Sequence, residues 1–348
     1  MVPDTPHPLA VVIHPVINEK SSPQLVRLTS AYAGVGVTFE NLRATTLLRR
    51  SPVVLHVNWP EHIVRSSGST AKKLVKQLEA SVITLSLLAR RHSVVWTAHN
   101  LEPHDGWRGP VERALFWAMR RRMSSIVTLV PGHERAIIER YPDLAAVPFE
   151  PIEWGSVAVT SDDPPARPPT GTPVRLLMVG AIGPYKQQLD VLRWLKPFIE
   201  SEQATLTIAG PVGDRDYLEQ LRELAPDHGF EVVDRWVSDP ELDDIIRSHH
   251  AVVAPQDHAF NTGVPYVCLP AGTPVALSPS RQADWLTESQ GNEWVRVLPD
   301  TSDPASIADF LAWAALDRVG AAPGPWEWTA KAAAHRVIYE RAAAAIAR

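Results

Sequence analysis

Two segments in the second half of this 348-residue chain bring together residue types suited to holding a phosphate. In RLLMVGAIGPYKQQLDVLRWL a buried strand passes Gly180 and Gly183 and reaches Lys186 just before an amphipathic helix. A lysine at a strand-to-helix loop meets a phosphate as a point charge, and the glycines let backbone come close. In APQDHAFNTGVPYVCLPAGTPVALSP, Asn261, Thr262 and Gly263 stand between a strand (251–254) and a short apolar helix. Small residues at a helix entrance leave N–H groups for an anion, which the helix dipole also favours. Asn-Thr-Gly also makes an ordinary turn or helix N-cap. The neighbouring strands tip the choice, because they end in Ala209-Gly210-Pro211 and Asp234-Arg235-Trp236-Val237. Together these strand ends predict a diphosphate cradle. Neither a Gly-x-Gly-x-x-Gly fingerprint nor a Walker lysine motif is present, which excludes a common NAD site and a P-loop.

The first half carries a different chemistry. Leu55-His56-Val57-Asn58-Trp59-Pro60-Glu61 and Trp96-Thr97-Ala98-His99-Asn100-Leu101-Glu102-Pro103-His104-Asp105 each begin as a buried strand and end in a polar cluster. An α/β sheet presents its site at such carboxyl ends. Carboxylates and imidazoles there can take a proton from a hydroxyl nucleophile. Asp105, beside His99 and His104 in the denser cluster, ranks first as base, Glu61 next and His99 third; either carboxylate can instead cap the following helix. His99 and His104 are five residues apart and flank a proline, unlike the i, i+4 spacing of a zinc-binding helix. Asp162-Asp163 and Asp243-Asp244 read as linker and helix-surface charge, so no metal site is expected.

The elements that must position these residues alternate. Apolar β-type runs at Leu9–His14, Val53–Val57, Val94–Thr97 and Ile126–Val130 are separated by helical patterns at Gln24–Ala33, Thr70–Arg91 and Val111–Arg122. Asp162 to Pro173 is proline-rich and reads as an extended connector. The alternation then restarts, with strands at Val174–Val179, Ala204–Ala209, Glu231–Val233 and Ala251–Ala254 and helices at Gln188–Ile199, Asp214–Ala225 and Asp239–Ser248. Such spacing predicts an α/β fold of two parallel sheets. The expected domains are a Rossmann-like unit over 1–161, a linker at 162–173, a second Rossmann-like unit over 174–325, and a crossing C-terminal helix within 326–348, with ligands in a cleft between the two units.

Composition narrows the class. The net charge of −5 hides an asymmetry, since residues 1–150 carry +6 and residues 151–348 carry −11. Lys72, Lys73, Lys76, Arg90 and Arg91 mark the ends of one helical stretch, and Arg120, Arg121 and Arg122 form a run. These clusters read either as solvated helix faces or as attraction to an anionic membrane surface. Nucleic acid is not an expected partner, because the pI is about 6.2 and aromatics do not interleave with the basic runs. With Cys268 the only cysteine, and with neither a secretory signal nor a membrane-spanning run in view, the expected location is cytoplasmic, peripheral to the inner face of the plasma membrane.

Over residues 174–280 the succession of strand ends resembles the nucleotide-binding half of GT-B-fold glycosyltransferases, which closes on a diphosphate helix followed by Ala-x-Gly-x-Pro-Val, here Ala271 to Val275. The first half is similar, more loosely, to bacterial exopolysaccharide β-mannosyltransferases, which carry His-x-His-Trp-Pro-Glu and Thr-x-His-Asn-x-x-Pro-His; Asn58 replaces the second histidine of the former. The resemblance implies hexosyl transfer from a GDP- or UDP-sugar to a glycan or lipid-linked acceptor, with no further cofactor. It places Gly180, Gly183, Lys186, Gly210, Arg235, Trp236, Val237, Asn261, Thr262 and Gly263 on the nucleotide, and His56, Trp59, Asn100 and His104 on acceptor or sugar. Ala181 stands where retaining members carry a phosphate-binding arginine, and Ala259 and Val267 where they carry two glutamates. The mechanism of that branch therefore does not carry over. The expected chemistry is inverting, and metal-independent because Lys186, the Thr262 and Gly263 amides and the helix dipole can meet the diphosphate. A sugar-nucleotide epimerase or hydrolase, or a non-catalytic nucleotide-sugar-binding subunit, are the alternatives.

Overall fold

A computed structural model describes residues 9–14, 23–48, 51–66, 68–103, 106–156, 168, 173–255 and 260–347. The expected linker, apart from Pro168 and Pro173, lies outside the described residues, as do His104 and Asp105. The chain divides into two compact units, Met1–Gly155 with Glu327–Arg348, and Ser156–Trp326.

The first unit is built on six parallel strands, β1 (Leu9–His14), β2 (Val37–Asn41), β3 (Val54–Val57), β4 (Ser93–Ala98), β5 (Met123–Thr128) and β6 (Phe149–Pro151), in the order β2-β1-β3-β4-β5-β6. Its central strands are buried on both faces, which is why they read as unbroken apolar runs. Period-two alternation sends Val12, Leu55 and Val94 to a core with Ile83, Leu115 and Met119. It sends Val11, Val54 and Val95 to the opposite core, with Tyr32, Ile338 and Tyr339. The C-terminal helix Trp328–Ala347 thus completes the first sheet's second face.

The second unit repeats the plan with β7 (Val174–Val179), β8 (Ala204–Ala209), β9 (Phe230–Val233), β10 (Ala251–Ala254), β11 (Val275–Leu277) and β12 (Val295–Val297), ordered β12-β11-β10-β7-β8-β9. Helices Gln188–Glu200, Arg215–Leu224 and Pro304–Ala314 cover one face. Asp239–Arg247 and Arg281–Gln290 lie on the other.

Each strand order reverses direction once. In the first unit the reversal falls between β1 and β3, and in the second between β7 and β10. Crossover connections leave the sheet on opposite sides there, opening a crevice at the carboxyl ends of the two strands. Residues at those ends are the ones placed to meet a ligand.

Candidate active site

In the second unit β7 runs into Gly180, whose φ of 117° is open only to glycine at little cost. Gly210, at the end of β8, lies so close that a Cβ would stand 2.1 Å from the Gly180 carbonyl oxygen. Backbone packing at the ends of β7 and β8 thus by itself requires a glycine at 210. The Gly183 N–H points to Gln188 Oε1 at 3.4 Å, so it too is turned inward.

Lys186 ends the 3₁₀ turn Pro184–Lys186, directly before Gln187, which holds a left-handed φ of 54°. Its stem passes over Gly180, where a Cβ would sit 3.2 Å from Cε and 3.4 Å from Nζ. No carboxylate lies within ion-pair distance among the described residues; the Tyr185 ring, with its centroid 5.4 Å from Nζ, is the neighbour. Burial without a counter-ion draws the ammonium down from 10.5 to about 8. The arrangement is a desolvated cation at a switch point, fitted to an oxyanion.

Asn261, Thr262 and Gly263 lead into Pro265–Cys268, a single helical turn, so the dipole expected there is that of one turn. The Thr262 N–H is also not presented to a ligand. It donates to Gln282 Oε1 at 2.7 Å, while Gln282 Nε2 donates back to the Thr262 carbonyl at 2.9 Å. Gln282, buried in the first turn of Arg281–Gln290, therefore holds the loop by both backbone groups. The N–H of Gly263 has no partner among the described residues and remains the donor available there. Of the expected base-contact residues, Arg235 is exposed and forked onto Glu241. Trp236 is exposed, and the Val237 side chain belongs to the core.

In the first unit the reversal brings His14, the last residue of β1, beside Asn58, just past β3. The Asn58 N–H donates to the His14 carbonyl at 3.0 Å and Nδ2 reinforces it at 3.3 Å. That fixes Asn58 Oδ1 as an acceptor, and His99 Nε2 donates to it at 3.0 Å. His99 is consequently the Nε2–H tautomer. Burial lowers it to about 3, so it is neutral at pH 7 and only a weak base, with its Nε2 proton already given to Asn58. Trp59 stacks on it at 4.1 Å, with His62 parallel to Trp59 at 5.9 Å.

His56, expected on the acceptor, has 0% exposure. Its Nε2 pairs with Thr97 Oγ1 at 2.8 Å and its Nδ1 with Tyr339 Oη at 2.6 Å, Tyr339 in turn meeting Tyr32 Oη at 3.0 Å. It is a core pin between β3, β4 and the C-terminal helix. Glu61 sits in the 3₁₀ turn Pro60–Ile63, and Asn100 just beyond β4; both line a small pocket with Trp59, Glu102 and Trp107. The Glu61 side chain is buried, and its carboxylate has no hydrogen-bond partner among the described residues.

Sequence reasoning missed His14 and Gln282. The histidine closing the apolar run VVIH is a signal in the chain; Gln282 shows no local one.

No protein-family model matches the chain. The chain is 29% identical over 324 residues to a GDP-mannose:glycolipid 4-beta-D-mannosyltransferase of Xanthomonas campestris pv. campestris, covering 88% of this chain and 83% of that protein. Among solved structures, Anabaena HepE in complex with UDP-glucose aligns with a TM-score of 0.58 at 14% identity, covering 97% of this chain and 99% of that one. The chain is a GT-B glycosyltransferase. A second fold match to this glycosyltransferase is the lipopolysaccharide outer core galactosyltransferase WaaB, with a TM-score of 0.55, 10% identity, and coverage of 97% and 98% of the two chains.

Proposed function

We propose that this glycosyltransferase moves a hexose from GDP-mannose or a UDP-hexose to a glycan or lipid-linked acceptor, with inversion and without a metal ion. The observation that carries the reading is Lys186, a desolvated ammonium with no carboxylate partner at the β7 switch point. The mannosyltransferase relatives, named for GDP-mannose and glycolipid, support the donor and the acceptor class.

In this reading the nucleoside diphosphate leaves with the electron pair of its bond to the sugar C1. The charge gathers on oxygens facing Lys186 and the Gly263 N–H, fixed donors of the kind that stabilise a developing anion. An acceptor hydroxyl attacks C1 from the opposite face and gives its proton to a carboxylate. Glu61 and Asp105 compete for that role, and the place of Glu61 in the small pocket with Trp59 and Asn100 supports it. His99, held neutral, serves as a hydrogen-bonding group.

Membrane attachment belongs to the same reading. The helix Thr70–Ala89 exposes Leu74, Val75, Leu78 and Leu85, all at 60% or more. Lys72, Lys73, Arg90 and Arg91 flank that face. No helix among the described residues is long and apolar enough to cross a membrane. We read this helix as lying in the plane of an anionic leaflet.

A thermal-shift panel of UDP, GDP, ADP and dTDP tests the donor, because ligand binding to the folded state raises the melting temperature. GDP or UDP is expected to give the largest rise. Equal, negligible shifts from all four would sink the reading.

A further inference from the structure

One side chain of the second unit holds both backbone groups of the residue before Gly263. Gln282 is 2% exposed. Its Oε1 accepts from the Thr262 N–H at 2.7 Å, and its Nε2 donates to the Thr262 carbonyl at 2.9 Å. A side-chain amide can do both, because it carries an acceptor and a donor on one carbon. Gln282 is itself fixed, standing in the first turn of Arg281–Gln290, where Ser280 Oγ accepts from the Ala283 N–H at 3.1 Å.

The consequence falls on the next residue. The Thr262 carbonyl and the Gly263 N–H belong to one planar trans peptide, so they point in opposite directions. Drawing the carbonyl to Gln282 turns the Gly263 N–H away from Gln282. The local sequence does not impose this orientation, since glycine takes either sign of φ at little steric cost. Turned over, the same peptide would offer a carbonyl oxygen where an anion needs a donor. The amides that follow cannot replace it: the Val264 N–H approaches Thr262 Oγ1 at 3.4 Å, and that of Tyr266 donates to the Gly263 carbonyl at 3.2 Å.

We infer that Gln282 is a positioning residue for donor binding, locking the 262–263 peptide so that its N–H and not its carbonyl meets the nucleoside diphosphate. The inference deepens the proposed function and rests on it, in taking the Gly263 N–H as a donor to that group. Its physical basis is preorganisation, since a dipole already aimed at an oxyanion costs nothing to reorient.

The test measures GDP and UDP binding by calorimetry for wild type, Gln282→Glu and Gln282→Leu from pH 8.5 to 5.5. An ionised glutamate accepts from the Thr262 N–H but sets a second oxygen against the Thr262 carbonyl; once protonated, its O–H donates there and the native pairing returns. Burial against a carbonyl favours that protonated form. Gln282→Glu should bind the tighter nucleotide about tenfold or more weakly than wild type at pH 8.5, the size of one hydrogen bond to a charged group. It should regain most of that loss by pH 5.5, whereas Gln282→Leu should stay weak throughout. Each affinity is divided by that of wild type at the same pH, which removes the nucleotide's own titration. Melting curves without nucleotide show that the variants fold, and if Gln282→Leu does not, the Gln282→Glu series stands alone because its acid form is its own control. Binding equal to wild type at pH 8.5, or a loss of one size at every pH, overturns the inference. Failure of wild type to bind either nucleotide would instead remove the proposed function, and the two failures are read separately.

Discussion

The Lys186 ammonium lies against the α-carbon of Gly180, close enough that a Cβ on Gly180 would stand 3.4 Å from Nζ. The glycine makes room for the cation, and the turn at Pro184–Lys186 folds the side chain back over the end of β7. Neither residue would form an anion site alone. Replacing Lys186 by Met should therefore lower kcat/KM by about 10²- to 10³-fold, the loss seen when one oxyanion donor is removed. It should also erase the nucleotide melting shift. Gly180→Ala should weaken nucleotide binding by less, with Lys186 displaced by a few tenths of an ångström and the backbone strained at φ 117°.

Gly210→Ala addresses stability. A methyl group 2.1 Å from the Gly180 carbonyl oxygen cannot be accommodated without separating the ends of β7 and β8. A loss of about 1 to 3 kcal/mol is expected, as for overpacking elsewhere. Urea denaturation reads it directly, and an unchanged midpoint would mean that the two strand ends yield freely.

The base is tested by Glu61→Gln beside Asp105→Asn. If Glu61 takes the acceptor proton, its amide should cost about 10²- to 10⁴-fold in kcat and leave the nucleotide melting shift intact. Full turnover of Glu61→Gln together with a collapse of Asp105→Asn moves the role to Asp105.

The buried histidines make stability pH-dependent. Burial lowers His14 and His99 to about 3 and His335 to about 4. The unfolded chain takes up these protons below about 6.5, the folded chain only near 3 to 4. Their contribution to stability is thus full above pH 6.5 and is lost as pH falls from there to about 3 or 4, at up to about 1.4 kcal/mol per pH unit for each. Urea midpoints measured from pH 7.5 to 4.5 should fall on the acid side, and His99→Asn should flatten the slope. A pH-independent midpoint would show that these rings are not held neutral.

Attachment to membranes can be separated from folding, because Leu74 and Leu78 are 60% and 67% exposed. Wild type should sediment with vesicles containing phosphatidylglycerol, less so as salt is raised. Leu74→Glu with Leu78→Glu should leave the protein in the supernatant at an unchanged melting temperature. Equal sedimentation of variant and wild type would remove this helix from the membrane.

Much of the architecture is legible in the chain, because central strands buried on both faces must be apolar throughout. VVLHV, SVVWTA and AVVA announce themselves on that ground. The edge strand β2, with its mixed burial, and the three-residue strands β6 and β12 do not, since an edge or a short bridge asks little of its side chains. Lys186 could be picked out because a lysine between a strand and a helix has a local signature. His56 looked like a ligand for the same kind of reason, and its partner Tyr339 lies 283 residues away. Gln282 lacks any local signature, for what matters about it is the loop that another segment brings to its side chain.

The sequence by itself determined the strand-helix alternation, the asymmetry of charge and the cation at the end of β7, because each is a property of neighbouring residues. Tertiary structure alone decided which polar groups remain available. It turned the Thr262 and Gly183 amides inward, sealed His56 into the core, and left Lys186 uncapped. Whether a polar atom is satisfied depends on what the fold packs against it, and that is not written in its neighbours along the chain.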